Sequence, residues 1–151
     1  MMRNPFVFIW RQPGGLSECP YFHRTVFGFQ NGWTVRIHEW HADDDARHMH
    51  DHPQWFWTFI VKGGYTDRSE DGDARLGPGA IRYRPASYRH SVIDVVPGTI
   101  TVLLTGRPSR RWGFWVKNKL IKRDKYFAVH GHHPCDPAEQ PVRLKPGGAR
   151  I

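Results

Sequence analysis

Short segments rich in β-branched and aromatic residues recur along most of this chain, and clusters of turn-forming residues separate them. The separators include Asn31-Gly32, Gly63-Gly64, Gly77-Pro78-Gly79 and Pro97-Gly98, which supply positive φ angles or a fixed proline φ. Strands joined by such tight turns must mostly be antiparallel neighbours, so the pattern predicts an all-β sandwich or a jelly roll closed into a barrel. The predicted strands are Phe6 to Trp10, Thr25 to Phe29, Trp33 to Trp40, His48 to His52, Trp55 to Lys62, Tyr65 to Arg68, Ala80 to Arg84, His90 to Val96, Thr99 to Thr105 and Trp112 to Val116.

The chain has 151 residues, the size of one globular domain. No long segment shows a persuasive helical period, and no repeat or linker divides the chain. We expect residues 33–116 to form the barrel and strands within residues 1–32 to pack on it. Residues 117–151 are basic and rich in Pro and Gly, which is typical of an irregular tail.

The net charge of +8 is unevenly distributed. Residues 75–125 contain twelve Lys and Arg against two acidic residues, a local charge of +10, whereas residues 1–74 sum to −3. Such a basic half attracts anions in general, from phosphorylated or carboxylated small molecules to nucleic acid. A solvated basic face that aids solubility is the alternative interpretation.

The sequence predicts a cytoplasmic protein with no membrane contact. Its apolar stretches are far shorter than the roughly 20 residues of a membrane helix, and the N-terminus lacks the features of a secretory signal. Cys19 and Cys135 are expected to be reduced thiols in a reducing compartment, although a bridge between them is the alternative.

His48, His50 and His52 alternate, so on a strand they would project from one face. Two imidazoles at positions i and i+2 lie side by side, which is a geometry that binds metal. An isolated His-x-His is weak evidence in a chain with ten histidines, because imidazoles also occur at surfaces.

A second group of residues supports the metal hypothesis. Gly79, Pro85, Ser87, His90 and Asp94 follow one another with the spacing of the second motif of the cupin superfamily, G-x5-P-x-G-x2-H-x3-N, with Ser and Asp replacing Gly and Asn. The first motif, G-x5-H-x-H-x3,4-E-x6-G, matches in part. Its paired histidines correspond to His50 and His52 and its closing glycine to Gly63-Gly64, but Asp44 replaces the opening glycine, and Phe56 or Trp57 replaces the glutamate ligand.

The chain thus resembles small single-domain cupins over about residues 33–116. The segments His50-Asp51-His52-Pro53 and Lys62-Gly63-Gly64-Tyr65 are similar to those of phage-encoded or bacterial cupins without an assigned function. The resemblance implies a double-stranded β-helix, also called a jelly roll. It also implies a divalent transition metal (Fe, Ni, Mn, Zn or Cu) bound by His50, His52 and His90, a three-histidine face similar to that of cupin thiol dioxygenases. A degenerate cupin whose histidines no longer hold metal is the alternative.

Residues near the implied site are candidates for hydrogen-bonding to the metal ligands or for binding substrate. Arg36 and His38 share one face of a predicted strand with Thr34 and Trp40, but periodicity does not say whether that face is inside. If it is inside, Arg36 is a candidate anchor for a substrate carboxylate and His38 a further ligand or hydrogen-bond donor. Arg82 is a second candidate for orienting an anion. Tyr83 is a candidate for an aromatic pocket, although alternating aromatics more often belong to a core.

Three functions remain open from the sequence. The leading hypothesis is a metal-dependent enzyme acting on a small anionic molecule, with oxygenase chemistry ahead of isomerase or lyase chemistry. The second is a non-catalytic binding module that uses its pocket, or uses the basic residues and aromatics between Arg107 and Lys125 to bind nucleic acid or a protein. The third is a structural part of a larger assembly. A homodimer is also expected through the outer strands, and the role of the His130 to Cys135 cluster is open.

Overall fold

The computed structural model describes residues 6–45 and 47–131. These residues form eleven strands and one short helix. The elements are β1 (Val7–Leu16), β2 (Cys19–Gly28), β3 (Thr34–Trp40), β4 (Phe56–Lys62), β5 (Tyr65–Ser69), β6 (Gly72–Leu76), β7 (Ile81–Arg84), β8 (His90–Ile93), β9 (Thr99–Thr105), β10 (Gly113–Val116), β11 (Lys119–Lys122) and α1 (Arg123–His130).

The strands form three antiparallel sheets. Six strands are ordered β1-β2-β3-β9-β4-β7, three are ordered β6-β5-β8, and β10 pairs with β11. The order places β9 between β3 and β4, so the chain crosses between sheets as it does in a jelly roll. The prediction of an all-β jelly roll is confirmed.

Strand alternation determines what faces the core. In β4 the side chains of Phe56, Thr58 and Ile60 are buried, whereas those of Trp57 and Phe59 are exposed. The central apolar cluster joins the six-stranded sheet to the three-stranded sheet, and its buried members are Trp40, Ile60, Tyr65, Leu76 and Val92.

The predicted strand from His48 to His52 is absent. Within this segment only His50 makes isolated bridges, to His90 and to Phe114. Pro53, which has no N–H to donate, follows the segment. His48 points elsewhere, with Nδ1 2.8 Å from the hydroxyl of Tyr126.

The start of the C-terminal tail is more regular than predicted. β11 pairs with β10, and α1 follows it directly. The fully buried ring of Tyr126 stacks on Phe114 with centroids 3.9 Å apart, and this packing stabilises a helix that is too short to show a helical period in the sequence. Residues 132–151, including most of the His130 to Cys135 cluster, lie outside the described residues.

Cys19 is disulfide-bonded, so the expectation of a reduced thiol at this position is wrong. Cys135 lies outside the described residues. A disulfide-bonded Cys19 gives no support to the expectation of a reducing compartment. In the part of the chain that the structure describes, no helix is long and apolar enough to cross a bilayer.

Candidate metal centre

Two segments that are distant in sequence meet at His50 and His90. The backbone N–H of His50 donates to the carbonyl oxygen of His90 at 2.9 Å, and the N–H of His90 donates to the carbonyl oxygen of His50 at 3.0 Å. This reciprocal pair is the hydrogen-bonded pair of an antiparallel ladder, which holds two Cα atoms about 5.5 Å apart. The backbone therefore sets the distance between the two imidazoles.

His52 completes a group of three. One ring nitrogen from each of His50, His52 and His90 lies within 4.8 Å of the others, and this is the one such group of three or more His, Cys, Asp or Glu found in residues 6–45 and 47–131. The Nε2 atoms of His52 and His90 are 2.9 Å apart. A metal that binds imidazole at about 2.0–2.1 Å can contact both nitrogens across such a gap.

Burial keeps two of these rings neutral. Burial, together with the nearby His90 ring, lowers the pKa of His50 to about 3 and lowers that of His52 well below its ordinary value. The positively charged Arg36 and Arg110 act in the same direction on His52. Neutral imidazole is the form that binds metal, so the environment favours the ligand state.

Asp67 supports His90 from behind. Its Oδ1 lies 2.7 Å from Nδ1 of His90, and its Oδ2 accepts hydrogen bonds from Arg84 at 2.8 Å and from the hydroxyl of Tyr88 at 3.3 Å. Burial alone would raise the pKa of Asp67, but the contacts with His90 and Arg84 outweigh it and lower that pKa. The carboxylate is thus ionised and only accepts, so Nδ1 of His90 carries the proton and Nε2 is free to bind metal.

Asp51 lies between the two histidines in sequence and points away from them. It is fully buried and accepts the backbone N–H of Gly113 at 3.0 Å and the indole N–H of Trp115 at 3.1 Å. Arg110 forms an ion pair with the same carboxylate at 2.8 Å. These three partners hold the loop that carries His50 and His52 against β10.

A second carboxyl group lies behind His50. Oδ2 of Asp44 is 3.8 Å from Nδ1 of His50, beyond hydrogen-bond distance, and accepts the backbone N–H of Val92. Its Oδ1 is buried and has no hydrogen-bond partner within the described residues. Burial raises the pKa of Asp44 well above its ordinary value.

No carboxylate joins the three histidines in the part of the chain that is described. Phe56, at the position where the cupin motif has its glutamate, packs its ring 4.5 Å from that of His52. The arrangement is therefore a three-imidazole face without a carboxylate ligand.

The burial pattern shows which face of β3 points into the barrel. Trp40 and His38 are buried, whereas Ile37 is exposed, so the face with Thr34 and Arg36 lines the interior. Nε of Arg36 donates to the hydroxyl of Thr34 at 2.9 Å, and burial followed by the charge of Arg24 lowers the pKa of Arg36 to about 10. Arg36 thus stays cationic at neutral pH.

His38 is not part of the three-histidine group. Its ring stacks on Phe22 with centroids 4.6 Å apart, and neither ring nitrogen has a hydrogen-bond partner among the described residues. Burial, and then the charges of Arg36 and Arg24, lowers the pKa of His38 to about 3.

Arg82 and Tyr83 lie on opposite faces of β7. Arg82 pairs with the buried Thr58 and so belongs to the inward-facing row of Thr58, Leu103 and Arg36, whereas Tyr83 pairs with the exposed Trp57. Arg82 is exposed on β7, and its Nη1 donates to the carbonyl oxygen of Ile81 at 2.8 Å. Tyr83 is exposed on the outer face, with its ring 5.3 Å from that of Trp57.

Sequence reasoning missed Asp67, Arg84 and the role of Asp51. A signal for Asp67 was present, because it alternates with the buried Tyr65 on one strand, and an acidic residue at an inward position needs a partner.

Two aromatic residues of the basic segment, Trp112 and Trp115, already contact arginines of the same chain. The guanidinium of Arg89 lies 3.3 Å from the ring centroid of Trp115, and that of Arg123 lies 5.7 Å from the ring of Trp112. Arg110 is paired with Asp51. These rings and charges are thus less available to a nucleic acid than the sequence suggested.

Similar folds occur among solved structures. An RmlC-like cupin protein from Ralstonia eutropha JMP134 is 18% identical with a TM-score of 0.54, covering 85% of this chain and 87% of that protein. The DMSP lyase DddQ from Ruegeria pomeroyi DSS-3 is 16% identical (TM-score 0.52, 71% of this chain and 58% of that one). The Fe(II) form of HppE is 11% identical (TM-score 0.52, 70% and 58%).

No protein-family model matches the sequence, and no curated protein is similar enough to match it.

Proposed function

On the premise that this chain has the cupin fold, we propose that it binds one divalent transition metal ion and uses it on a small anionic molecule. The ligands are His50, His52 and His90. The observation that carries the proposal is the convergence of one ring nitrogen from each of them within 4.8 Å.

The donor set fits such an ion. Three neutral imidazoles accept Fe, Ni, Mn, Zn or Cu in differing degrees, so the ligand types alone do not select the metal. Three protein ligands leave coordination positions open for substrate, which distinguishes a catalytic site from a closed structural one. Because the described ligands carry no negative charge, an anionic substrate would balance the charge of the metal.

The interior residues supply substrate recognition. Arg36 is a cation on the inner face of β3 with no carboxylate partner among its described hydrogen bonds, and it acts electrostatically on His52. We assign it the role of binding the carboxylate or another oxyanion of the substrate. Asp67 holds the proton at Nδ1 of His90 and thereby keeps Nε2 directed at the ion.

The reaction class we propose is oxygenation, with lyase chemistry second. A metal held at this site supplies Lewis acidity and, if it is Fe(II), reactivity toward dioxygen. One structure of the same fold is described with Fe(II), which supports iron as the metal, and another is a lyase, which supports the second class.

Elemental analysis of untagged, gently purified protein tests the metal. We expect near-stoichiometric metal in the wild type and its loss in His50→Ala, His52→Ala and His90→Ala variants. The matched control is His48→Ala, which removes a neighbouring histidine that contacts Tyr126 instead. Wild-type protein without metal that also fails to bind Fe(II), Ni(II), Mn(II), Zn(II) or Cu(II) in titrations would contradict the proposal. Salt-dependent binding to nucleic acid or proteins would then test the binding-module alternative.

A further inference from the structure

Two arginines on neighbouring strands face the inside of the barrel. Arg24 on β2 pairs in register with His38 on β3, and Arg36 lies two residues away from His38 along β3. Cross-strand partners and residues two apart on a strand share a face, so both arginines lie on the inner face that carries the buried His38. Such diagonal neighbours are about 7–8 Å apart, which long side chains can span.

The lack of an acidic partner distinguishes these two arginines from the others inside the fold. The remaining half-buried arginines in the part of the chain that the structure describes each pair with a carboxylate: Arg47 with Asp45, Arg84 with Asp67, Arg89 with Glu70 and Arg110 with Asp51. The described hydrogen bonds of Arg24 and Arg36 go only to neutral groups. An interior cation needs a compensating charge, which a bound anion would supply.

Both guanidinium groups are oriented in the same way. Nε of Arg24 donates to the side-chain oxygen of Gln12 at 2.8 Å, and Nε of Arg36 donates to the hydroxyl of Thr34 at 2.9 Å. Neither arginine uses its Nη atoms in a hydrogen bond among the described residues. Each fork can therefore donate two parallel N–H bonds to a carboxylate or a phosphate.

A β-bulge places Gln12 opposite Arg24. The register of β1 against β2 shifts between Ile9 and Gln12, and Arg11 within this shift has a φ of +43°. Without the extra residue Arg11 would pair with Arg24, whereas in the structure it is exposed and forms an ion pair with Glu39 at 2.7 Å. Bulges next to functional sites often redirect a side chain in this way. Arg24 thus has a neutral acceptor beside it in place of a second cation.

Arg24 lies farther from the three histidines than Arg36 does. In the six-stranded sheet, β2 is one strand farther than β3 from β4, where Phe56 packs against His52. Electrostatic effects follow the same order, because the charge of Arg36 lowers the pKa of His52 and the charge of Arg24 lowers the pKa of Arg36. The order along the interior is therefore His52, Arg36 and Arg24.

The other titratable groups that act on Arg24 do not neutralise it. They are the phenol of Tyr21 and the guanidinium of Arg123. Burial raises the pKa of Tyr21, so the phenol is uncharged at neutral pH, and Arg123 adds positive charge. The surroundings of Arg24 therefore favour an anion.

We propose that Arg24 binds a second oxyanion of the substrate, so that the site takes a small molecule with two anionic ends, a dicarboxylate or a phosphorylated carboxylate. Arg36 and the metal hold the first end, and for that end the inference rests on the proposed function. Arg24, oriented by Gln12, holds the other end. A molecule with one anionic group would leave Arg24 without a counter-charge, so the site discriminates against monoanions.

Calorimetric titration of the Co(II)-loaded protein at fixed ionic strength tests this second subsite. The probes are glutarate with its monomethyl ester, and phosphoglycolate with glycolate, because the members of each pair differ by one anionic group. We expect the doubly anionic member to bind roughly 10- to 150-fold more tightly, the usual contribution of a hydrogen bond to a charged group. The preference in either pair supports the subsite, and the pair with the larger ratio identifies carboxylate or phosphate as the second group.

Three variants assign the effect to Arg24. In Arg24→Gln the preference should disappear while the monomethyl ester binds as it does to the wild type. Gln12→Glu places a carboxylate beside Arg24, so it should also abolish the preference but raise the free energy of unfolding, which excludes misfolding as the cause. Arg11→Gln removes one positive charge from the same strand at an exposed ion pair with Glu39 and, as the matched control, should keep the preference.

Equal binding of both members of both pairs to the wild type would overturn the inference. A preference that persists in Arg24→Gln would also overturn it, because the second group would then be held elsewhere. If the wild type binds no metal, the proposed function fails by itself. The metal-free protein, titrated with the same probes and variants, then supports or overturns the Arg24 subsite by the same ratio.

Discussion

Oδ1 of Asp67 lies 2.7 Å from Nδ1 of His90, and the two residues are 23 positions apart on the paired strands β5 and β8. This contact places the proton on Nδ1 and leaves Nε2 of His90 with a lone pair that can bind the proposed metal. The carboxylate is thereby part of the site although it is not a ligand.

The Asp67→Asn variant should bind metal about 10- to 100-fold more weakly than the wild type, the usual effect of losing a partner behind a metal-bound histidine. Competition with a fluorescent chelator measures the affinity. Asp73→Asn is the control. It affects an exposed ion pair with Arg68 and should leave the metal affinity unchanged. Equal affinities for the two variants would contradict the assigned role.

Replacing Asp51 should damage both the fold and the site. Asp51→Ala leaves Arg110, Trp115 and the Gly113 N–H without their acceptor. Breaking a buried ion pair costs about 3–5 kcal/mol, and because Arg110 is partly exposed we expect the lower end, about 3 kcal/mol. Urea unfolding of the metal-free protein measures the loss, with Asp73→Ala expected to cost less than about 1 kcal/mol. If Asp51→Ala also lowers the free energy of unfolding by less than about 1 kcal/mol, the contacts of Asp51 with Arg110, Trp115 and Gly113 are not needed for stability.

Arg36→Gln should weaken binding of small carboxylates to the metal-loaded protein. Hydrogen bonds to charged groups contribute about 1.5–3 kcal/mol, which corresponds to roughly 10- to 150-fold in affinity. Titration of the Co(II)-loaded protein with oxalate, followed by its absorption spectrum, measures the effect. Arg75→Gln is the matched control, because Arg75 is exposed on β6 and bonds the carbonyl oxygen of Asp94. If both variants bind oxalate like the wild type, Arg36 does not hold the anion.

We expect the free energy of unfolding to decrease as the pH is lowered, in part because of His38. Burial lowers the pKa of His38 to about 3, so in the folded protein the ring stays neutral while the unfolded chain takes up a proton below its ordinary value of 6.5. The unfolded state then binds more protons, and stability is lost as the pH falls from about 6.5 toward 3.

The His38→Gln variant should therefore show a shallower pH dependence, by up to about 1.4 kcal/mol per pH unit within that window. Urea unfolding at several pH values between 4.5 and 7 gives the comparison. His50 and His52 contribute in the same direction in both proteins, so the difference isolates His38. Parallel curves would contradict the prediction.

Gly63 is required by geometry. Its φ is +75°, and an added Cβ would collide with the side chain of Thr99, which also accepts the N–H of Gly64 at 2.8 Å. Gly98 has a similar φ of +86° but open space around it. We expect Gly63→Ala to be at least about 1 kcal/mol less stable than Gly98→Ala, since both substitutions introduce the strain of a similar positive φ and only Gly63→Ala adds the collision. Equal thermal denaturation midpoints would refute this.

The sequence by itself determined the β-class and indicated the three histidines that converge in the structure. Strand alternation and Gly or Pro turns are local properties, so β3, β4, β5 and β9 were predicted within one or two residues of their bounds. The spacing of His50, His52 and His90 in two motifs was also readable, because a motif is a one-dimensional pattern.

Only the tertiary structure decided what surrounds those histidines. Periodicity separates two faces of a strand without saying which is buried, so the inward position of Arg36 and the outward position of Tyr83 follow from packing between sheets. The same holds for Asp67 behind His90 and for α1, whose buried Tyr126 meets Phe114. These contacts join residues far apart in sequence, and the desolvation that sets the pKa values of His38, His50 and His52 exists only once the chain has closed around them.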